Sequence, residues 1–181
     1  MKKSTFTTAI LLVFIMLFNA NVTAQEFKDL DKSPMDVASF PTSYKESNKL
    51  VKIAYSRPQL KGRDLQQLAP NGKVWRTGAN EAAEITFYVD MKLGDKTIEA
   101  GTYSFFTIPG EKEWTIILSS DINVWGAYSY NEANDVARYN APALTTEDSL
   151  EPFSIAFDES ANGVNMYLGW DKVRVTVPFT K

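Results

Sequence analysis

From Leu50 to the C-terminus, apolar residues recur at every second position in short runs stopped by glycine, proline, asparagine or aspartate. A period of two puts one set of side chains on one face of an extended chain, the pattern of a half-buried strand. Val51, Ile53 and Tyr55 alternate with Lys52, and Ile85, Phe87, Val89 and Met91 with Thr86, Tyr88 and Asp90. Trp114, Ile116 and Leu118 follow the same rule, as do Phe153, Ile155 and Phe157, then Val164, Met166, Leu168 and Trp170, then Val173, Val175, Val177 and Phe179. No segment carries a helical stripe over three turns, and no repeat of fixed period is present. About eight short strands, separated by turn signals, predict an all-β fold with very little helix. A single antiparallel β-sandwich fits best, with a flattened β-barrel as the alternative.

The punctuation has its own physics. Arg57-Pro58 stops the first clear strand, because proline lacks the ladder donor. Asp64 suits the cap of one helical turn over Leu65 to Leu68, and Asn71-Gly72, Gly94-Asp95 and Asn162-Gly163 are turn dipeptides. Adjacent Phe105 and Phe106 must face opposite sides, which predicts apolar neighbours on both faces of that strand. Pro109 to Lys112 is expected as a hairpin loop and Thr145 to Ser149 as a polar loop.

Upstream, Lys2 and Lys3 precede an unbroken apolar run from Ala9 to Phe18, and Val22-Thr23-Ala24 offers a small-residue cleavage site. The run is shorter than the roughly 20 residues a spanning helix needs, so residues 1–24 are expected to be a signal peptide. Residues 25–49, with Pro34 and Pro41, read as an extended lead-in containing at most one short strand, and 50–181 as a single domain. Such a chain is exported, periplasmic or secreted, with no membrane span once the leader is removed.

Composition narrows the chemistry. The 181 residues contain no Cys and no His. That excludes thiolate nucleophiles, disulfides, Ser-His-Asp relays and histidine zinc sites. The net charge of −3 offers no basic stripe for nucleic acid. No sequence motif implies a cofactor or a resident metal. An enzyme built from this chain would have to work with carboxylates, Lys, Tyr or Ser/Thr, so a non-catalytic role is favoured.

Two constellations remain. Lys73 to Glu81 crowds Trp75, Arg76, Asn80 and Glu81 between strands, with Arg57 upstream. Arginine can grip a carboxylate or sugar hydroxyl while Asn and Glu fix orientation, which would make a ligand pocket. The same residues also suit a structural loop, with Gly78 at positive φ, Asn80 closing a turn, Glu81 paired to Arg76 or Arg57, and Trp75 in the core. The second constellation is Trp125, Tyr128 and Tyr130 in a glycine-containing loop, either a stacking platform for sugar rings or a plug for the open end of the fold. The carboxylates Asp64, Glu81, Glu84, Asp121 and Asp135 could supply an acid–base pair only at a specific separation, and Asp121-Ile122-Asn123 lacks the spacing of an EF-hand.

The succession Y-S-R-P (Tyr55 to Pro58), K-G-R (Lys61 to Arg63), G-K-V-W-R-T-G-A-N-E (Gly72 to Glu81), A-G-T-Y (Ala100 to Tyr103), F-T-I-P-G (Phe106 to Gly110), E-W-T-I-I (Glu113 to Ile117) and W-G-A-Y (Trp125 to Tyr128) resembles the bacterial family catalogued as domain of unknown function 2911. The likeness runs from about Val51 to the C-terminus. It implies export by Gram-negative bacteria and assigns no activity, cofactor or catalytic residue. Three readings stand, in this order: a binding domain of the envelope for a small molecule or glycan, a structural or interaction protein of the envelope with no small ligand, and a carboxylate-based enzyme without His or Cys.

Overall fold

The structure, a computed structural model, describes residues 25–181; the expected leader lies outside the described residues. Residues 25–30 carry no regular structure and are exposed. Everything else below concerns the unit from Asp31 to Lys181.

Nine strands form in chain order: β1 (Met35–Phe40), β2 (Val51–Ser56), β3 (Ala83–Phe87), β4 (Met91–Leu93), β5 (Lys96–Ile98), β6 (Gly101–Ile108), β7 (Glu113–Ser119), β8 (Asp135–Ser160) and β9 (Gly163–Thr180). One helical turn, α1 (Leu65–Leu68), is capped by the Asp64 carboxylate, which accepts from the Gln66 amide as its position suggests. The hydrogen-bonded order is linear, β1-β2-β3-β6-β7-β8-β9-β4-β5, and every neighbouring pair is antiparallel. The all-β, antiparallel expectation therefore stands as one open sheet.

The sheet closes over its own core through β8. The first part of this 26-residue strand pairs with β7, from Ser119↔Asp135 to Glu113↔Pro142. From Ala143 onward it pairs with β9. Side chains that alternate inward from the two halves then meet. Tyr55 packs edge-on against Phe153 at 5.6 Å, Phe87 against Phe179 at 5.1 Å, and Trp75 stacks on Trp170 at 5.4 Å and 15°. The Tyr55 hydroxyl accepts from the Ile155 amide at 2.9 Å, a polar tie between the layers. Burial pushes this phenol's pKa up, against the opposing pull of its backbone bond.

Two sequence expectations change. Ile85 to Met91 is not one strand. β3 ends at Phe87 and β4 begins at Met91, because the chain crosses from one half of the sheet to the other, leaving Val89 exposed. Thr145 to Ser149 is not a loop but part of β8, with register shifts before and after Leu150. Opposite Leu150, Asp171 takes a left-handed φ of 47° and absorbs the irregularity within β9. The lead-in supplies its one short strand, β1, which pairs with β2 along its whole length.

Phe105 and Phe106 do face opposite sides. Phe105 joins the main core, and Phe106 joins Ala82 and Ile117 in a smaller cluster on the outer face of β6 and β7. That outer cluster is the floor of the candidate site.

Candidate functional site

The polar run is a closed excursion from the sheet. Trp75 still pairs with Thr107 of β6 through bonds of 2.7 and 3.0 Å. The Arg76 carbonyl then accepts from the Ala83 amide at 3.0 Å, so residues 77–82 leave the sheet and return at the same point. Two residues in this loop adopt left-handed backbone, Thr77 at φ 51° and Asn80 at φ 62°. For a β-branched residue this is unfavourable. Thr77 is held there by complete burial and by a hydroxyl within reach of the Trp75 carbonyl (3.3 Å) and the Thr107 hydroxyl (3.1 Å). Gly78, expected at positive φ, is not. Its role is close approach, since a Cβ there would sit 3.1 Å from the Ser56 carbonyl oxygen.

The named residues divide. Trp75 is 5% exposed and lies among Trp114, Phe153 and Trp170, so it is core. Arg57 is spent on architecture: Nε donates to the Phe153 carbonyl (3.1 Å), Nη1 to Asp36 (2.9 Å) and Nη2 to the Ser154 hydroxyl (2.7 Å). It ties β1 and the end of β2 to β8, and neither Arg57 nor Trp75 faces a ligand.

Arg76 is different. Its neighbour Trp75 points inward, so Arg76 lies on the outer face beside the Phe106 cluster. Its Nε is buried with no partner, and among the described residues its guanidinium makes no hydrogen bond or ion pair. Glu81 is exposed and pairs with neither Arg76 nor Arg57, contrary to the structural-loop expectation. The Asn80 side chain closes no turn; its backbone carbonyl makes the contact that matters.

That contact joins the two constellations. The Asn80 carbonyl accepts from the Gly126 amide (3.0 Å), and the Ala82 amide donates to the Val124 carbonyl (2.9 Å). Glu81 and Trp125 are therefore paired residues. Glu84 adds a side-chain anchor, accepting from the Asn123 amide at 2.6 Å. Above these pins Trp125 is 60% exposed and Tyr128 85% exposed. The Tyr128 ring crosses Gly126, whose φ is 68° and where a Cβ would meet the ring at 2.6 Å. Trp125 is the one exposed tryptophan of the four.

Support for this loop comes from Tyr130 and Asp135, together with Arg138 and Glu132, which sequence reasoning passed over. Tyr130 packs edge-on against Phe106 at 5.3 Å and donates to Asp135 Oδ2 at 2.6 Å. Arg138 donates to that same oxygen and to the Tyr130 hydroxyl, each at 2.6 Å, with Glu132 at 3.4 Å. Burial first, then the bond to Asp135, pushes the Tyr130 pKa up to about 12. A signal was present in the alternation of β8, which puts Arg138 on the outward face with Asn140. Three further carboxylates serve loops: Asp64 caps α1, Glu84 holds Asn123, and Asp121 accepts from the Asn134 side-chain Nδ2 at 2.8 Å. Among the described residues no group of three or more Asp or Glu is placed to hold a metal ion.

The fold and this surface define a class: an antiparallel β domain that carries an aromatic loop and an uncommitted arginine on the outer face of its sheet. The chain belongs to the family described as Protein of unknown function (DUF2911), whose model matches residues 33–179. No curated protein and no solved structure matches it.

Proposed function

We propose that the protein is an exported binding domain for a small molecule or glycan, and that the site is the outer-face surface formed by Arg76, Asn80, Glu81, Trp125 and Tyr128. The observation that carries this reading is the backbone pairing of Asn80 to Ala82 with Val124 to Gly126. It sets Glu81, a carboxylate that no described residue neutralises, opposite Trp125 in a loop with two exposed aromatic side chains, and the unpartnered Arg76 lies in the same excursion from the sheet. Aromatic faces stack on the apolar faces of sugar rings, while Arg and Glu hydrogen-bond the hydroxyls or acid groups around them. Rings standing in solvent on rigidly pinned backbone lose little freedom on binding, which favours affinity. The signal-peptide pattern of residues 1–24 supports action outside the cytoplasm, where glycans are abundant ligands.

The test is a thermal-shift screen of metabolites and envelope glycans, followed by titration of each hit against Trp fluorescence. Because Trp125 is the exposed tryptophan, a ligand at this site changes emission in wild type and not in Trp125→Phe. Arg76→Ala and Glu81→Ala are expected to abolish binding with the fold intact. Hits that bind both variants normally would refute the site.

A further inference from the structure

The bridge between the two loops has two faces, and they differ in chemistry. The Gly126 amide donates to the Asn80 carbonyl and the Ala82 amide to the Val124 carbonyl, so both bonds flank the Glu81–Trp125 pair and neither lies within it. That is the non-hydrogen-bonded position of an antiparallel ladder. Opposed Cα atoms there stand about 4.5 Å apart, and the two side chains rise side by side from the same face. The flanking residues fix which face it is. Ala82 and Val124 pack into the cluster with Phe106 and Ile117. Alternation along an extended chain then sends Glu81 and Trp125 the opposite way, into solvent, and both are exposed.

Glu81 is the uncommitted carboxylate of this region. Glu84 is spent on the Asn123 amide at 2.6 Å and Asp121 on Asn134 Nδ2 at 2.8 Å, whereas Glu81 makes no ion pair among the described residues. Arg76 sits on the sheet beside the Phe106 floor, before the chain departs, so the charge paired with the indole is negative. The face of an indole is itself the negative pole of the ring quadrupole, and it is the best aromatic partner for a cation within about 6 Å of the ring centre. An anionic group would be repelled by both members of the pair, and a neutral hydroxyl would gain a bond from the carboxylate alone. An ammonium group is attracted by both at once.

Resting on the binding reading above, we infer that the Glu81–Trp125 pair is a subsite for an organic ammonium group. The group is carried either on a sugar ring, as an unacetylated amino sugar, or on a small free amine. Its charge lies over the indole and faces the Glu81 carboxylate. For an amino sugar, the apolar face of the ring continues the stack on Trp125.

The experiment is calorimetric titration of wild type, Glu81→Gln and Trp125→Ala with glucosamine trimer, N-acetylglucosamine trimer and putrescine, below neutral pH where the amines are protonated. Acetylation keeps the sugar rings and removes the charge. Urea midpoints check that each variant is folded, and the wild-type comparison of the two trimers stands without either variant. Wild type should bind the amine trimer at least fivefold more tightly than the acetylated one, the scale of an exposed ion pair with a cation–π contact. Glu81→Gln should erase that preference, and Trp125→Ala should weaken both trimers. Putrescine binding with the same dependence on Glu81 and Trp125 extends the class to free amines; the amine trimer binding without putrescine assigns it to amino sugars. If the acetylated trimer binds wild type as tightly as the amine trimer, or Glu81→Gln keeps the preference, the ammonium class is refuted while the Trp125 site survives. If neither amine binds wild type and another hit of the screen binds at Trp125, the ammonium subsite falls and the binding reading stands. If nothing binds at Trp125, both fall together.

Discussion

Arg57 and Arg76 stand close in sequence within the strings that mark this family, yet they sit in opposite energetic situations. That contrast gives a sharp prediction. Arg57→Ala removes three hydrogen bonds at once. The pair with Asp36 is partly exposed on both sides, at 31% and 44%, so solvent screening limits it to about 1 kcal/mol or less. Ser154 keeps its own bond to the Pro152 carbonyl at 2.9 Å and loses little. The main loss falls on the Phe153 carbonyl, which gives up a charged donor worth about 1.5 to 3 kcal/mol. The total is about 2 to 3 kcal/mol, or roughly 5 to 10 °C in Tm for a domain of this size. Arg76→Ala breaks no bond and frees a buried Nε of its penalty, offsetting the packing of the aliphatic stem, so stability should stay within about 1 kcal/mol of wild type. Urea unfolding followed by tryptophan fluorescence measures both, with the slope checked for two-state behaviour. Equal destabilisation, or a larger loss for Arg76→Ala, would refute the division of the two arginines into clamp and contact.

Other outcomes are equally open to measurement. Trp75→Ala should cost about 3 to 5 kcal/mol by emptying the space between Trp114, Phe153 and Trp170, read from the urea midpoint or from loss of soluble protein. Gly126→Ala forces an L residue to φ 68° and pushes the Tyr128 ring aside, so it should lose about 1 to 2 kcal/mol and weaken ligand binding. Glu84→Gln removes the charge that holds the Asn123 amide, and hydrogen exchange at residues 123–126 should speed up while the β2 amides stay protected. Tyr130, with its pKa raised to about 12, keeps its proton longer folded than unfolded. Its contribution is fully present below the unfolded value of about 10 and is lost as pH rises through the folded one. Urea midpoints taken across that alkaline window should fall less steeply in Tyr130→Phe than in wild type.

Much of the fold was legible because the sheet is half-buried, and a half-buried sheet writes its period into the sequence. Val51, Ile53 and Tyr55, or Trp114, Ile116 and Leu118, name their face unaided. The pattern failed where extended backbone has no buried face to mark. Thr145 to Ser149 are polar and largely exposed, and of them only Thr145 pairs directly with β9, so this extended stretch reads as a loop. Val89 shows the converse, an apolar residue in phase with its neighbours yet left outside at a crossing between halves. The site was legible in composition and not in assignment. Trp75 and Arg57 belong to a polar-aromatic run by type, but burial and three-way pairing remove them from the surface. What joined Glu81 to Trp125 was a backbone bridge, and backbone amides carry no residue signature.

That bridge has a consequence for what the surface can become. The amides and carbonyls of Asn80, Ala82, Val124 and Gly126 fix the loop, and the Phe106 floor supports it, while the side chains at 125 and 128 take no part in either. Loop geometry is thereby uncoupled from the chemistry the loop displays. Side chains at 125 and 128 other than proline can therefore be exchanged with the backbone pairing kept, much as interchangeable tips on one tool holder, so recognition is open to retuning at two positions.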